Sequence, residues 1–522
     1  MTGVQTCALP IWEITQDASE FGPDWQIAHA YDALAVLIDD FTAEIACGIE
    51  KGVSGEASQD LLQYLSSSLP AILFAAPFIS TLRLLNKSRD LNDRLAETFR
   101  IAPPGRAKRV LWFSDTVADL NGVSITLNEL AACARKENAP LTIVGCLAEK
   151  ERSHPVADRI LRLPRVYEVT PAFYNAHTLR FPSLLRSLDT IARANPEKIV
   201  ISTPGPVGLT GYLAARLLGV PCAGVYHTDF AKQAEEVTGD KQMIDLVNRY
   251  VNWFYARMDE LHVPSRYYMT LLADQGHDRA RMRLFSRGLD PAYTRVSEHH
   301  LRTAKARWFR DDIPTLLYSG RLGKEKNLGL LCRLFARLRA DGLDVRLLFA
   351  GDGPERAELE RALAPHAPHV AFAGRLDRET LKAVYALADV LVFPSETDTF
   401  GMSVLEAQTL GMPALVSLQG GPQEIIADGK TGYALDASDP DRWVATCRTL
   451  LGFRASNPIG YTLWRDEIKA AFASRHSWQH LIDAITEKAP VPAAHRPPRA
   501  ADRPRLPSPS ESQRIPILAA AH

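Results

Sequence analysis

VLVFPSETDTFGMSVLEAQTLGMPALVS, Val390 to Ser417, reads as a buried strand, a polar turn, a helix and a second strand opened by GMP. Four apolar residues in a row suit a strand covered on both faces, and the apolar spacing after Gly401 suits a helix. Asp398 or Thr399 is placed to cap that helix, while Phe400, Gly401 and Met402 offer first-turn amides. Free N–H groups and the helix dipole attract a diphosphate, and Gly401 lets backbone approach it closely. Asp398 and Glu406 stand eight residues apart, one in the loop and one in the helix. Taken singly, they read as a helix cap and a solvated helix residue. Within this stretch they read together as carboxylates that accept from sugar hydroxyls and from a ribose.

Outward from this segment, strands and helices alternate. TLLYSG, VRLLFAG and VAFAG are predicted strands, with NLGLLCRLFARLRADG, ERAELERALAPH and RETLKAVYALA as the helices between. RVLWF, LTIVG, KIVIS and CAGVY form an earlier series, with VSITLNELAACARK and GLTGYLAARLLG as helices, and Gln242 to Gln275 reads as one long helical stretch. The rhythm occurs twice, so an α/β fold of two facing parallel-sheet domains is expected, with a site in the cleft between them. Before Arg109, AHAYDALAVLIDDFTAEI and LLQYLSSSL have helical spacing. LPAILFAAPFIS, Leu69 to Ser80, is far shorter than the roughly 20 residues of a spanning helix and reads as a buried or interfacial one.

The chain has 522 residues, and its 60 basic and 61 acidic side chains give a formal charge of −1. Overall charge therefore points to no nucleic-acid, membrane or acidic partner, and charge logic must be local. The seven cysteines lie far apart without CxxC spacing, which suits buried thiols in a reducing cytoplasm and no metal site. MTGVQTCALPIW lacks a basic start and a proper apolar run; it resembles a translated sequencing adapter and is expected to be a non-native leader. The Pro-, Arg- and Ser-rich segment after Glu487 reads as a disordered tail.

Four further motifs carry candidate chemistry. SGRLGKEKN places Arg321 and Lys326 after a strand, where cations stabilise charge on a departing phosphate; alone, it reads as a solvated basic turn, and it lacks the Ser or Thr of a Walker A loop. LNGVS puts Asn121 and Gly122 after the first strand, a plain turn signal by itself. His227 follows the strand CAGVY. GPVGLTG at Gly205 to Gly211 has GxxGxxG spacing, which does not fit a dinucleotide fingerprint. Arg287 in LFSRGLD and the GDGPE turn at Gly351 to Glu355 read as structural.

TDTFG with the Asp398 and Glu406 spacing, GGPQE at Gly420 to Glu424, and SGRLGKEK together resemble the retaining glycosyltransferases of family 4, specifically the branch containing lipid-directed mannosyl- and sulfoquinovosyltransferases. The resemblance runs from about Arg109 to Glu487. It implies the GT-B architecture of two facing Rossmann-like domains and hexosyl transfer from a UDP- or GDP-sugar to a lipid or glycan acceptor, without metal or cofactor. The family pattern is E-x7-E, and this chain has aspartate in first place. The resemblance further implies catalytic roles for His227, Arg321, Lys326 and Asp398, and donor binding by Asn121, Gly122, Phe400, Gly401, Met402 and Glu406. In this reading Arg321 and Lys326 hold the pyrophosphate and His227 contacts the donor sugar.

The expected organisation is a leader at 1–12, a helical segment at 13–106, an acceptor-side domain at 107–295, a nucleotide-sugar domain at 296–475, a final helix at 476–487 that crosses back to the acceptor-side domain, and a tail at 488–522. The expected location is cytoplasmic. Arginine-rich stretches at 279–310 and 152–193 read mainly as solvated faces, with peripheral contact at an inner membrane face as the lesser expectation. Two other functions fit the same architecture: a GT-B sugar-nucleotide epimerase or phosphorylase, and a non-catalytic nucleotide-sugar-binding protein.

Overall fold

The computed structural model describes residues 23–53, 76–84, 91, 94–95, 98–99, 107–117, 122–148, 160–170, 178–230, 232, 241–285, 287–289, 291–472 and 478–487. The expected leader, LLQYLSSSL, Asn121 and the tail at 488–522 lie outside them. The chain divides into two compact units, Met1–Val225 with Met258–Glu260, and Tyr226–Arg257 with Leu261–His522.

In the first unit the strands β1 (Val110–Phe113), β2 (Leu141–Gly145), β3 (Ile160–Arg162), β6 (Lys198–Ile201) and β7 (Cys222–Val225) are parallel and lie in the order β3-β2-β1-β6-β7. Buried runs such as VLWF and KIVI explain why β1 and β6 take central places: covered on both faces, they need no polar alternation. An antiparallel pair, β4 (Arg165–Val169) with β5 (Leu179–Pro182), was not expected; its residues are half-exposed and carry charge, so they lack a strand's apolar run.

The N-terminal helix Pro23–Val53 packs on this unit. Leu34, Ala35 and Ile38 form a small core with Leu185, Tyr31 donates to the Leu185 carbonyl at 2.8 Å, and Asp39 lies 3.6 Å from Arg186. Residues 76–84 are helical, with Phe78 and Ile79 half-buried against that core and most of the others exposed, while residues 69–75 of the apolar stretch lie outside the described residues.

The helix Pro206–Leu218 begins at Gly205, and its start is occupied by a carboxylate. Asp115, just beyond β1, accepts from Val207 N at 2.8 Å, Gly205 N at 3.2 Å and Thr203 Oγ1 at 2.6 Å. GPVGLTG is thus a helix start satisfied from within the protein.

The second unit holds a six-stranded parallel sheet of β10 (Thr315–Ser319), β11 (Arg346–Ala350), β12 (Val370–Gly374), β13 (Val390–Phe393), β14 (Ala414–Ser417) and β15 (Gly432–Leu435), in the order β12-β11-β10-β13-β14-β15. Chain order runs outward from β10 on one side and from β13 on the other. Their following loops therefore diverge and leave a crevice at the carboxyl ends of these two strands. A large apolar core, from Leu289 to Phe472, fixes the sheet beneath.

The stretch 242–275 is not one helix. Helices Lys241–Tyr255 and Arg266–Asp274 flank the buried strand β8 (Glu260–Val263), which pairs with β9 (Met282–Leu284). Pro264 ends the strand, and Ser265 caps the next helix by accepting from Tyr268 N at 3.3 Å. Helical spacing in the flanks concealed four strand residues.

Asp115→Ala would leave several buried donors unmet. It is expected to destabilise the protein by about 2–4 kcal/mol, read as a lower urea midpoint with unchanged slope; an unchanged midpoint would contradict this role.

Candidate functional site

The crevice between β10 and β13 is lined by loops that rest on one another. After β10, Leu322 N donates to Asp352 O at 3.1 Å and Glu355 N to Leu322 O at 3.0 Å, so the GDGPE turn supports the RLGKEK loop. Glu325 O accepts from Thr397 Oγ1 at 3.1 Å and Ser395 Oγ at 3.4 Å, tying that loop to TDTFG. Behind TDTFG lies GGPQE: Gly421 N donates to Asp398 O at 2.8 Å, and a Cβ on Gly421 would overlap the Thr399 carbonyl oxygen.

These contacts place the charged side chains. Lys326 Nζ lies 2.9 Å from Asp398 Oδ2, with 17% and 23% of the two side chains exposed. The two residues named on separate loops in the sequence are direct partners, each neutralising the other. Arg321 is exposed, and its carbonyl accepts from the Tyr318 hydroxyl at 2.9 Å. Glu406 Oε2 is 3.1 Å from the hydroxyl of fully buried Tyr385, which is 2.8 Å from Ser319 Oγ at the end of β10. Glu406 is thus an anchored carboxylate at the strand ends, and burial beside it pushes the Tyr385 phenol well up.

The helix after TDTFG is Met402–Thr409, and its N-cap is Gly401 at φ 94°. Neither Asp398 nor Thr399 caps it. Asp398 is engaged by Lys326, and Thr399 Oγ1 donates to His227 O at 2.6 Å. Gly401 has no side chain to fill that helix end, and among the described residues no side-chain hydrogen bond to its first amides is recorded, which suits it to an anion. Gly401 is required twice over: its φ is left-handed, and a Cβ would sit 2.8 Å from Pro422 Cγ. Phe400 is buried, and half-buried Met402 is the first helical residue.

His227 is 4% exposed and packs edge-on against Phe285 at 5.4 Å. Its Nδ1 is 3.1 Å from Arg287 Nη2. Burial, then Arg287 and His262, holds the imidazole well below its ordinary value of 6.5, so it is neutral. Arg287 itself, 6% exposed, lies over the Phe400 ring at 5.5 Å, and burial lowers it to about 10 against an opposing pull from Asp398.

His227, Arg287, Thr399 and Phe400 therefore form one cluster, Lys326 with Asp398 a second, and Glu406 with Tyr385 and Ser319 a third. Gly122 opens the helix Gly122–Lys136 in the first unit. Arg287, Tyr385 and Ser319 were not read from sequence as site residues. For Arg287 the signal was a single arginine in a connector; for the other two there was none beyond a strand end and a helix. Glu424 of GGPQE accepts from Arg266 N at 2.9 Å and Tyr267 N at 2.7 Å, a start-of-helix role, while Tyr268 donates to Thr397 O at 3.3 Å.

Residues 120–293 match the family model described as Glycosyltransferase Family 4, and residues 303–454 that described as Glycosyl transferases group 1. A GDP-mannose-dependent alpha-mannosyltransferase of Mycolicibacterium smegmatis is 30% identical over 323 residues, covering 61% of this chain and 81% of the relative. The sulfoquinovosyl transferase SQD2 of Arabidopsis thaliana is 31% identical over 52% of this chain and 53% of its own length. Among solved structures, Anabaena HepE in complex with UDP and glucose superposes with a TM-score of 0.57 at 14% identity, over 73% of this chain and 98% of that one.

Because the unfolded chain protonates His227 near 6.5 and the folded chain does so only at lower pH, stability at this residue is complete above 6.5 and is lost as pH falls. Between pH of about 7 and 5, the melting temperature of His227→Gln is expected to fall less than that of the wild type. An equal or steeper fall would contradict a neutral buried imidazole.

Proposed function

The chain belongs to glycosyltransferase family 4, and from that premise we propose that it transfers a hexosyl group, with retention of anomeric configuration, from a UDP- or GDP-sugar to a lipid or glycan acceptor. The observation that carries this reading is the crevice at the ends of β10 and β13, where Lys326 and Asp398 meet 2.9 Å apart beside a helix start whose N-cap is a glycine. A diphosphate leaving a sugar gains negative charge, and a lysine, an arginine and helix amides are the groups that stabilise it.

In this reading Arg321, Lys326 and the helix start at Met402 hold the diphosphate. The Lys326 ammonium has three donors, so one stays with Asp398 while others serve phosphate oxygens. Asp398 binds the sugar, and Glu406, fixed by Tyr385, accepts from the ribose. His227, neutral, donates to the reacting sugar and takes no proton. Donor binding is also assigned to Asn121 and Gly122. These cations stand in for a metal ion. GDP-mannose is the first donor to try, since it is named for the mycobacterial relatives. The reading places the protein in the cytoplasm, at a membrane face when the acceptor is a lipid; among the described residues, no helix is long and apolar enough to cross a membrane.

Thermal-shift screening of nucleotide sugars identifies the donor, because a ligand of the native state raises its apparent stability. With that donor, Lys326→Ala is expected to lower turnover about 100- to 1,000-fold while the melting temperature moves by only a few degrees, about 4 °C at most. Full activity in this variant would end the assignment. Transfer is also expected to survive a chelator; its loss, restored by added divalent ions, would show a metal role. Donor breakdown without an acceptor or dependence on phosphate would point to an epimerase or phosphorylase, and binding without turnover to a non-catalytic protein.

A further inference from the structure

Arg287 is a buried cation with a neutral histidine as its hydrogen-bond partner. Its Nη2 is 3.1 Å from His227 Nδ1, and its Nε has no hydrogen-bond partner among the described residues. Burying a guanidinium costs stability, and an unmet buried N–H adds to that cost. The stacking on Phe400 at 5.5 Å offsets a part of it. A guanidinium has donors only, so His227 Nδ1 must accept, and the proton of a neutral imidazole then resides on Nε2.

We propose that Arg287 is a positioning residue that holds His227 as the neutral tautomer with its proton on Nε2, so that the ring acts in transfer only as a hydrogen-bond donor. The proposal rests on the assignment of His227 to the reacting sugar. Arg287 also sets where the ring stands relative to TDTFG, because the same guanidinium lies over Phe400 while Thr399 donates to the His227 carbonyl.

The charged and titratable neighbours come from each element around the ring. His262 on β8 acts in the same direction as Arg287, Asp398 on the TDTFG loop acts on Arg287, and Asp229 on the histidine's own loop acts on Tyr226 and Tyr268. Only Arg287 combines charge with a direct hydrogen bond to the imidazole among the contacts described.

The test uses full-length wild type, Arg287→Met and Arg287→Lys labelled with 15N-histidine, with His227→Gln to identify the signal among 14 histidines. In the wild type the His227 signal is expected to report a proton on Nε2 and to titrate well below the ordinary value of 6.5. In Arg287→Met it is expected to titrate at a higher pH than in the wild type, while staying below the ordinary value of 6.5 because burial, the larger cause, remains. The kcat of Arg287→Met should then fall at least about 2-fold more than that of the wild type between pH of about 7.5 and 5, with KM within about 3-fold. Arg287→Lys, which keeps a cationic donor, should recover most of the flat profile, and it carries the test should the Met variant not fold.

A His227 signal and pH profile in Arg287→Met like those of the wild type would overturn the proposal. So would a uniform loss of kcat at every pH with an unchanged histidine signal, which is the mark of a purely structural arginine. Should the wild type turn over no nucleotide sugar at all, the assignment of transfer fails, while the histidine signal still decides what Arg287 does.

Discussion

Backbone lies directly on backbone at the carboxyl ends of β10, β11 and β13, and the charged crevice exists because of that contact. The RLGKEK loop rests on GDGPE, TDTFG rests on GGPQE, and the first and third of these are tied through the Glu325 carbonyl. Side chains larger than hydrogen are excluded where the chains touch, as at Gly421. Loops with this support cannot drift apart at small cost, so Lys326 and Asp398 meet at a fixed place. The site is thus built on rigid strand ends, and its electrostatics need little reorganisation when charge develops.

The balance of charge within the second unit follows. Lys326 is matched by Asp398, and Arg287 is buried against a neutral ring and an aromatic face. Glu406 is held by a tyrosine hydroxyl. Arg321 and Lys324 of the same loop stay exposed, which keeps strong donors in reach of solvent-borne anions. The contrast with the first unit is instructive: there Asp115 fills the start of Pro206–Leu218, whereas among the described residues no side chain is recorded as filling the start of Met402–Thr409. Two glycine-bearing helix starts of similar sequence rhythm therefore differ in whether an anion can use them.

The parallel sheets were legible because fully buried strands such as VLWF, KIVI and VLVF carry unbroken apolar runs. The crevice between β10 and β13 was not, since it follows from the order of strands in the sheet, which alternation along the chain does not give. The pairing of Lys326 with Asp398 was not: the residues are 72 positions apart, and only the register of β10 against β13 brings them together. Helix capping by Asp398 or Thr399 was a sound local expectation that tertiary contacts overrode. Arg287 was hidden for a different reason, because its meaning depends on a histidine 60 residues earlier and on the ring of Phe400. β8 was missed because its four residues sit between two amphipathic helices.

Amide hydrogen exchange with and without a saturating nucleotide sugar tests the central claim most directly, since it asks where the donor binds rather than whether turnover occurs. The account predicts added protection at residues 320–327 and 396–405, the two loops of the crevice, with little change at the start of Pro206–Leu218. Protection confined to other segments, in a protein that demonstrably binds the donor, would contradict it.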